Sequence, residues 1–200
     1  MSKKPFNIFS IGGIKNFLSL DECLQVISYQ NNKNIIRNFI NSSVIDSNNQ
    51  ITKDNKIRNT NSGFIEVSKE TEWLYERLSD FSKMISQTLD LETNEIEPIQ
   101  LSRYSEIERG FYRNHVDVLP FHRNSQIRKI SVSVQLTESK EYEGGDLIIL
   151  KHHDNLQKIK ADRTIGSLTF FSSLLNHEVT PVTKGNRYSL VAWICGPKFK

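Results

Sequence analysis

The sequence predicts an α+β chain, mainly β, in which N-terminal helices buttress a jelly roll. Three observations carry this expectation. Apolar residues recur at three- and four-residue steps in two early windows, which is the helical period. After Asn94 the pattern turns to alternation and stays so to the C-terminus. Turn-forming runs such as Glu143-Gly-Gly145 and Lys184-Gly-Asn186 cut the alternating part into short pieces, as in a sandwich or barrel. A length of 200 residues fits one domain, read as helical support with a variable loop over 1–94 and a jelly-roll core over 95–197.

The elements follow in order. Leu18 to Tyr29 reads as a helix, because Leu20, Cys23, Leu24 and Ile27 form a stripe and Ser19 with Glu22 makes a capping-box pattern. Lys69 to Leu89 reads as a second, with Leu74, Leu78, Phe81, Ile85 and Leu89 on one face behind a cap at Ser68. Trp73, Leu74 and Phe81 are packing residues on this reading, and Trp193 in the last strand is placed with them. Between the helices, Asn31 to Ser62 is rich in Asn, Ser and Lys. It fits a hairpin turning at Asp46-Ser-Asn-Asn49 or a mobile loop, with Arg58 and Asn59 on a substrate lid in the second case. Candidate strands are Ile96–Tyr104, Gly110–Val118, Arg128–Leu136, Asp146–Leu150, Thr164–Phe171 and Asn186–Ile194. In Arg128–Leu136, Ile130, Val132, Val134 and Leu136 alternate with Lys129, Ser131, Ser133 and Gln135. The polar face lines a wet pocket between sheets or faces bulk solvent.

Charge and cysteine usage narrow the class. The 26 basic and 23 acidic residues give a net charge of +3. The basic residues are scattered, so a nucleic-acid partner is not expected. Cys23 and Cys195 lie near opposite ends, which gives neither a disulfide framework nor a thiolate zinc cluster and points to a reducing, cytoplasmic compartment. The start Met1-Ser-Lys-Lys-Pro-Phe-Asn-Ile-Phe lacks a signal-peptide apolar run, and no stretch is long enough for a membrane span. A membrane partner is not expected, and the oligomeric state is left open.

The candidate chemistry lies in Phe111-Tyr-Arg-Asn-His-Val-Asp-Val118. In a strand, His115 and Asp117 point to one face, because side chains alternate with period two. His177 supplies a second imidazole. Two imidazoles and one carboxylate suit non-haem Fe(II) with open coordination positions, and zinc accepts the same donors. By the same period, Arg187 and Ser189 share a face. A guanidinium fork with a hydroxyl beside it suits the distal acid group of a dicarboxylate, whose oxo-acid end would chelate the metal.

These residues stand in six ordered blocks: Tyr104; Phe111 to Asp117; Arg128 to Leu136; Tyr142-Glu-Gly-Gly-Asp-Leu147; Gly166-Ser-Leu-Thr-Phe-Phe171; and His177 through Arg187 to Trp193. The set resembles the 2-oxoglutarate and Fe(II)-dependent dioxygenases of the prolyl 4-hydroxylase-like kind, in particular the bacterial and phage hydroxylases of the prolyl/lysyl hydroxylase domain type. Coverage runs from about Ile96 to Pro197.

The resemblance implies a double-stranded β-helix, the cupin-like form of the jelly roll. It implies His115, Asp117 and His177 as iron ligands and as the catalytic set, with Arg187 on the distal carboxylate of 2-oxoglutarate. It also implies that Tyr104 and Gln135 contact the cosubstrate; Ser189 is added from strand parity. Fe(II), 2-oxoglutarate and O2 are the implied cofactor and cosubstrates, with ascorbate as an accessory. The implied reaction converts 2-oxoglutarate to succinate and CO2 while hydroxylating an amino-acid side chain, prolyl first among them, in a peptide, a protein or a free amino acid. Related iron halogenases carry a small residue where the carboxylate would be, so Asp117 implies hydroxylation. One departure stands out: Ser105-Glu-Ile-Glu-Arg109 precedes Gly110 where the family has a glycine soon after the early tyrosine.

Other readings remain open. A non-catalytic jelly roll that binds a metal or small acid is one, against which the intact Asp117 argues. A nucleic-acid demethylase is another, which would want a clearer basic groove and a stacking platform. His122, in Leu119-Pro-Phe-His-Arg-Asn124, is a candidate substrate contact or an exposed loop residue. His152 and His153 are read as solvated residues of a polar turn over Lys151 to Asn155.

Overall fold

The computed structural model describes residues 7–42, 44–45, 51–118, 126–153 and 155–199. The chain opens with β1 (Ile11–Ile14), α1 (Leu20–Ser28) and a short 3-10 turn at Tyr29–Asn31, followed by β2 (Ile36–Asn41), β3 (Val44–Ile45), β4 (Ile51–Thr52), β5 (Arg58–Asn59) and β6 (Asn61–Ile65). Helix α2 (Glu72–Leu89) leads into β7 (Glu95–Ile96), β8 (Gln100–Ser105), β9 (Phe111–His115) and β10 (Gln126–Gln135). The last part carries β11 (Tyr142–Gly144), β12 (Leu147–His153), β13 (Asn155–Lys160), β14 (Leu168–Ser172), β15 (Asn176–Val179) and β16 (Val182–Pro197).

Helix α1 begins as its capping box predicts. Glu22 N–H donates to Ser19 Oγ at 3.2 Å, and Ser19 N–H donates to Glu22 Oε2 at 2.8 Å. The apolar stripe is narrower than expected. Cys23 and Val26 are buried, whereas Leu20 and Leu24 face solvent. Helix α2 keeps its predicted stripe, since Leu74, Leu78, Phe81, Ile85 and Leu89 are all buried. Each such side chain contributes about 1.5–3 kcal/mol on burial. Its cap is Thr71, not Ser68. Thr71 Oγ1 accepts from Ser68 N–H at 2.9 Å and donates to the Glu66 carbonyl at 2.6 Å, so the hydroxyl fixes the preceding turn. The helix stops at Asp90, which takes a left-handed conformation with φ 51°.

Two antiparallel sheets form the layers. The larger runs β1-β14-β10-β16-β8-β6-β2, with β7 and β11 also paired to β16; the smaller runs β13-β12-β15-β9-β5. Register assigns the faces of the larger sheet. Ile130, Val132 and Val134 stand opposite Ile194, Ala192 and Leu190, and this apolar face packs under both helices. Ser131, Ser133 and Gln135 stand opposite Trp193, Val191 and Ser189 on the other face. That face looks toward the smaller sheet, so the polar side of β10 is interior: Ser131 and Gln135 are buried. A second apolar cluster between the sheets, with Leu147, Ile149, Leu175, Val179 and Val182, leaves a cavity beside it.

The first ninety residues do more than support. β1, β2 and β6 are strands of the larger sheet, and β5 is an edge strand of the smaller one. Arg58 and Asn59 therefore belong to a strand paired with Tyr112 and Phe111, which removes them from a lid. β3 and β4 pair as a hairpin, while the expected turn at Asp46 to Asn49 lies outside the described residues. Lys184-Gly-Asn186 is no turn, because β16 continues through it with Gly185 at φ 72°. The chain reverses within Lys151 to Asn155 as expected, and the strands extend into that stretch, His152 and His153 pairing across to Leu156 and Asn155 of β13. The Ser105 to Arg109 segment is a tight turn closed by Arg109 N–H on the Glu106 carbonyl and by Gly110 N–H on the Ser105 carbonyl.

Candidate metal centre and acid clamp

His115 closes β9 and His177 lies on β15 directly opposite. Asp117 is two residues beyond the end of β9. Strand parity therefore does not bring His115 and Asp117 together. The chain turns Asp117 inward because its N–H donates to the Ser173 carbonyl at 3.1 Å. His115 Nε2 is 3.6 Å from Asp117 Oδ1, and His177 Nε2 is 3.4 Å from Asp117 Oδ2. The three donor atoms lie within 4.8 Å of one another.

The imidazole tautomers follow from their partners. His115 Nδ1 is 2.8 Å from the Arg113 carbonyl, and His177 Nδ1 is 3.0 Å from the Leu175 carbonyl. A carbonyl can only accept, so each Nδ1 carries the proton and each Nε2 lone pair faces the centre. Backbone carbonyls that fix ligand imidazoles are a usual feature of metal sites. Ser131 Oγ donates to Asp117 Oδ2 at 2.7 Å and lies 2.9 Å from Ser173 Oγ, orienting the carboxylate. The Tyr112 ring stacks on His115 with centroids 3.6 Å apart, and Phe171 meets His177 edge-on at 4.7 Å.

Burial, with the neighbouring His177, pushes the His115 pKa down to about 3, so this imidazole is neutral at physiological pH. Burial works against ionisation of Asp117, but the two imidazoles and the Ser131 hydroxyl outweigh it and hold the carboxyl below its ordinary range. Burial also opposes charge on His177, where Asp117 prevails and shifts the group upward. A buried anion between two inward nitrogens is the donor set a divalent cation needs. Iron fits this donor set: His115, Asp117 and His177 would hold the ion at the cavity wall.

The same cavity, about 730 Å³, is lined by Arg187 and Ser189 from β16, Tyr104 from β8 and Trp193. Arg187 is 4% exposed, and no carboxylate among the described residues pairs with it. Its Nε donates to Gln135 Oε1 at 3.2 Å and its Nη1 to Ser189 Oγ at 3.3 Å. The Gln135 amide nitrogen is spent on the Thr137 carbonyl at 2.9 Å and the Tyr142 hydroxyl at 3.0 Å. Gln135 thus aims the guanidinium. Tyr104 lies under Arg187, 5.4 Å from ring centroid to guanidinium carbon. Gly145 makes room for the clamp: at φ 61°, a Cβ there would sit 3.0 Å from Arg187 Cδ. A buried guanidinium with only neutral partners is built to receive an anion.

Several lining residues were not singled out from the sequence. Tyr112 and Gln100 reach the cavity through cross-strand pairing, and Ser173 supports it from behind through the Ser131 hydroxyl. Arg128 pairs with Glu97 Oε1 at 2.7 Å and stacks 3.8 Å over Trp193. Trp193 consequently belongs to the cavity wall and not to the helix-side core. Trp73 packs against that core as expected. His122 lies outside the described residues, as do the side chains of His152 and His153.

Two sheets enclose a buried His-Asp-His donor set and a basic clamp, a jelly roll with a candidate metal centre. Residues 99–195, just under half of the chain, match the family model described as the 2OG-Fe(II) oxygenase superfamily. A PKHD-type hydroxylase of Alteromonas mediterranea is 38% identical over 101 residues, which is 48% of this chain and 42% of that protein. One from Parvibaculum lavamentivorans is 33% identical over 130 residues, or 62% of this chain and 53% of that protein. The chain spans about half the length of these curated relatives. Among solved structures, a Pseudomonas putida prolyl-4-hydroxylase superposes with a TM-score of 0.70 at 19% identity, covering 96% of this chain and 94% of that one. A Trichoplax adhaerens prolyl hydroxylase in complex with a hypoxia inducible factor peptide gives 0.71 at 20% identity, covering 92% and 82%. At these identities the superpositions establish the double-stranded β-helix fold.

Proposed function

We propose that the protein is an Fe(II)- and 2-oxoglutarate-dependent dioxygenase that hydroxylates an amino-acid side chain. The observation that carries this reading is a buried donor set, His115, Asp117 and His177, sharing one cavity with an Arg187 that has no counter-ion among the described residues. The family match over residues 99–195 supports it. So does the peptide held by the Trichoplax neighbour, which favours a peptide or protein target. Zinc would accept the same donors but leaves the buried guanidinium without a role.

When bound, Fe(II) and 2-oxoglutarate together with O2 supply the oxidation, yielding succinate and CO2 and one oxygen atom for the target C–H bond. The chain's own residues bind and orient. His115, Asp117 and His177 would hold the metal on one side. Arg187, braced by Gln135 and Ser189, would take the far carboxylate of the keto acid, with Tyr104 against it. Phe171, Leu147, Val179 and Trp193 wall the cavity, which keeps competing water away from the reacting groups. Ascorbate as the reductant that keeps the metal ferrous, and a cytoplasmic setting, belong to the same proposal; the buried free thiols of Cys23 and Cys195 support the latter.

The test is an anaerobic titration of the Fe(II)-loaded protein with 2-oxoglutarate, following the visible charge-transfer band of a chelated keto acid. A saturable band is expected. Its absence sinks the cosubstrate assignment. Arg187→Ala should weaken 2-oxoglutarate binding about tenfold or more, the worth of one charge-assisted bond, while metal affinity stays within about twofold.

A further inference from the structure

Arg58 is a second buried cation in this cavity that neither the metal donors nor the acid clamp employs. It lies on β5 beside β9 and is 8% exposed. One partner is engaged: Nη2 donates to Gln100 Oε1 at 3.1 Å. Its Nε is buried without a partner, and no carboxylate among the described residues pairs with the guanidinium. The guanidinium carbon stands 4.7 Å over the Tyr112 ring, the ring that stacks on His115. Arg58 is therefore one aromatic ring away from the metal donors.

The three cavity arginines divide by partner. Arg128 is neutralised by Glu97. Arg187 faces the position for the keto acid. Arg58 remains, and burying a cation without an anion is strongly unfavourable unless something supplies the charge. A cavity of about 730 Å³ has room for a substrate beside a five-carbon diacid. Around Arg58 the cavity opens past Ile40, Ile57, Phe64 and Val116, all exposed apolar side chains. That rim gives a substrate an apolar approach to a cationic floor.

We propose that Arg58 receives a carboxylate of the primary substrate, which makes the substrate class an acidic amino acid, free or within a peptide. This rests on the dioxygenase reading above. The reaction balances as R–H plus O2 plus 2-oxoglutarate giving R–OH, succinate and CO2, with one oxygen atom in each of the two new carbon–oxygen bonds. A neutral prolyl ring would leave Arg58 uncompensated, whereas an acidic side chain or a free carboxylate pairs with it and holds a nearby C–H bond toward the metal.

The experiment is calorimetry without O2 on protein loaded with Mn(II) and 2-oxoglutarate. Probes are end-capped pentapeptides of alanine with Asp, Glu, Asn or Pro at the centre, and free L-aspartate and L-glutamate. An acidic probe is expected to bind at least about tenfold tighter than its neutral counterpart, as one charge-assisted bond implies. Arg58→Gln should erase that preference and leave the 2-oxoglutarate affinity within about twofold; Arg58→Lys should keep part of it. Tight binding of peptides alone, or of free acids alone, identifies the source of the carboxylate and supports the proposal. Equal binding of Asp, Asn and Pro probes by the wild-type protein overturns it, even if both variants misfold, as does a preference that survives in folded Arg58→Gln. If 2-oxoglutarate fails to bind the wild-type protein, the dioxygenase reading falls separately, and the Arg58 comparison is read with Mn(II) alone.

Discussion

Tyr112 and His115 are three residues apart on β9, yet their rings stack 3.6 Å apart at 18°. An odd spacing puts side chains on opposite faces of a regular strand. The register explains the exception: Tyr112 pairs with Val179 and His115 with His177, so three steps on β9 match two on β15. The extra residue is a β-bulge, which returns His115 to the face of Tyr112 and bends the strand end toward the cavity. The bulge places a donor imidazole against an aromatic wall.

Truncation of that wall should loosen His115. Tyr112→Ala is expected to lower metal affinity about tenfold, in the range seen when outer-shell support is lost, and to destabilise the fold by about 3 kcal/mol. Tyr112→Phe keeps the stacked ring and should retain affinity within about twofold. Metal titration and thermal unfolding of the two variants measure this. Equal loss in both would assign the role to the hydroxyl instead.

Ser131→Ala removes the hydroxyl that donates to Asp117 Oδ2. Metal affinity should fall by about tenfold with little change in 2-oxoglutarate affinity at saturating metal, because the clamp residues on β16 are untouched. Equilibrium dialysis against Mn(II) gives the first quantity, and calorimetry the second.

Gly145→Ala should affect the clamp directly. Gly145 has φ 61°, and a Cβ would come 2.8 Å from Val182 Cγ2 and 3.0 Å from Arg187 Cδ. The left-handed backbone alone costs about 1–2 kcal/mol for a residue with a Cβ. A lower melting temperature together with at least about a fivefold loss of 2-oxoglutarate affinity is expected. A variant with unchanged affinity would show that Arg187 has slack.

Glu22 links α1 to α2 through Arg77 at 2.7 Å, and that partner, helped by the Ser19 bonds and opposed by burial, holds its carboxyl below the ordinary 4.5. A depressed carboxyl pKa adds stability above the unfolded-state value and loses it as pH falls through the folded-state value. Glu22→Gln should therefore be less stable than wild type at pH 7 by about 0.5–1 kcal/mol, given the partial exposure of the pair. The gap should narrow below about pH 4.5 and close under the folded-state pKa. Urea unfolding at pH 7 and at successive acidic pH values measures it, and a constant gap would remove the ion pair as its cause.

By itself the sequence determined what local periodicity and residue chemistry can encode. The stripe from Leu74 to Leu89, the Ser19–Glu22 cap and the alternation along β10 are set by neighbours within a few positions, and they fold as written. It also supplied the residue types of the site: two imidazoles, a carboxylate and a guanidinium with a serine two residues on. The tertiary structure decided how these meet. Asp117 turns inward through a bond to Ser173, fifty-six positions away, His115 through a bulge defined only against β15, and Arg58 through pairing with β9. Gln135 became a brace for Arg187 because Tyr142 and Thr137 occupy its amide nitrogen. Cross-strand register and bulges depend on which strands pair, and that choice is made by burial of the whole apolar face against the helices, which no short window of sequence contains.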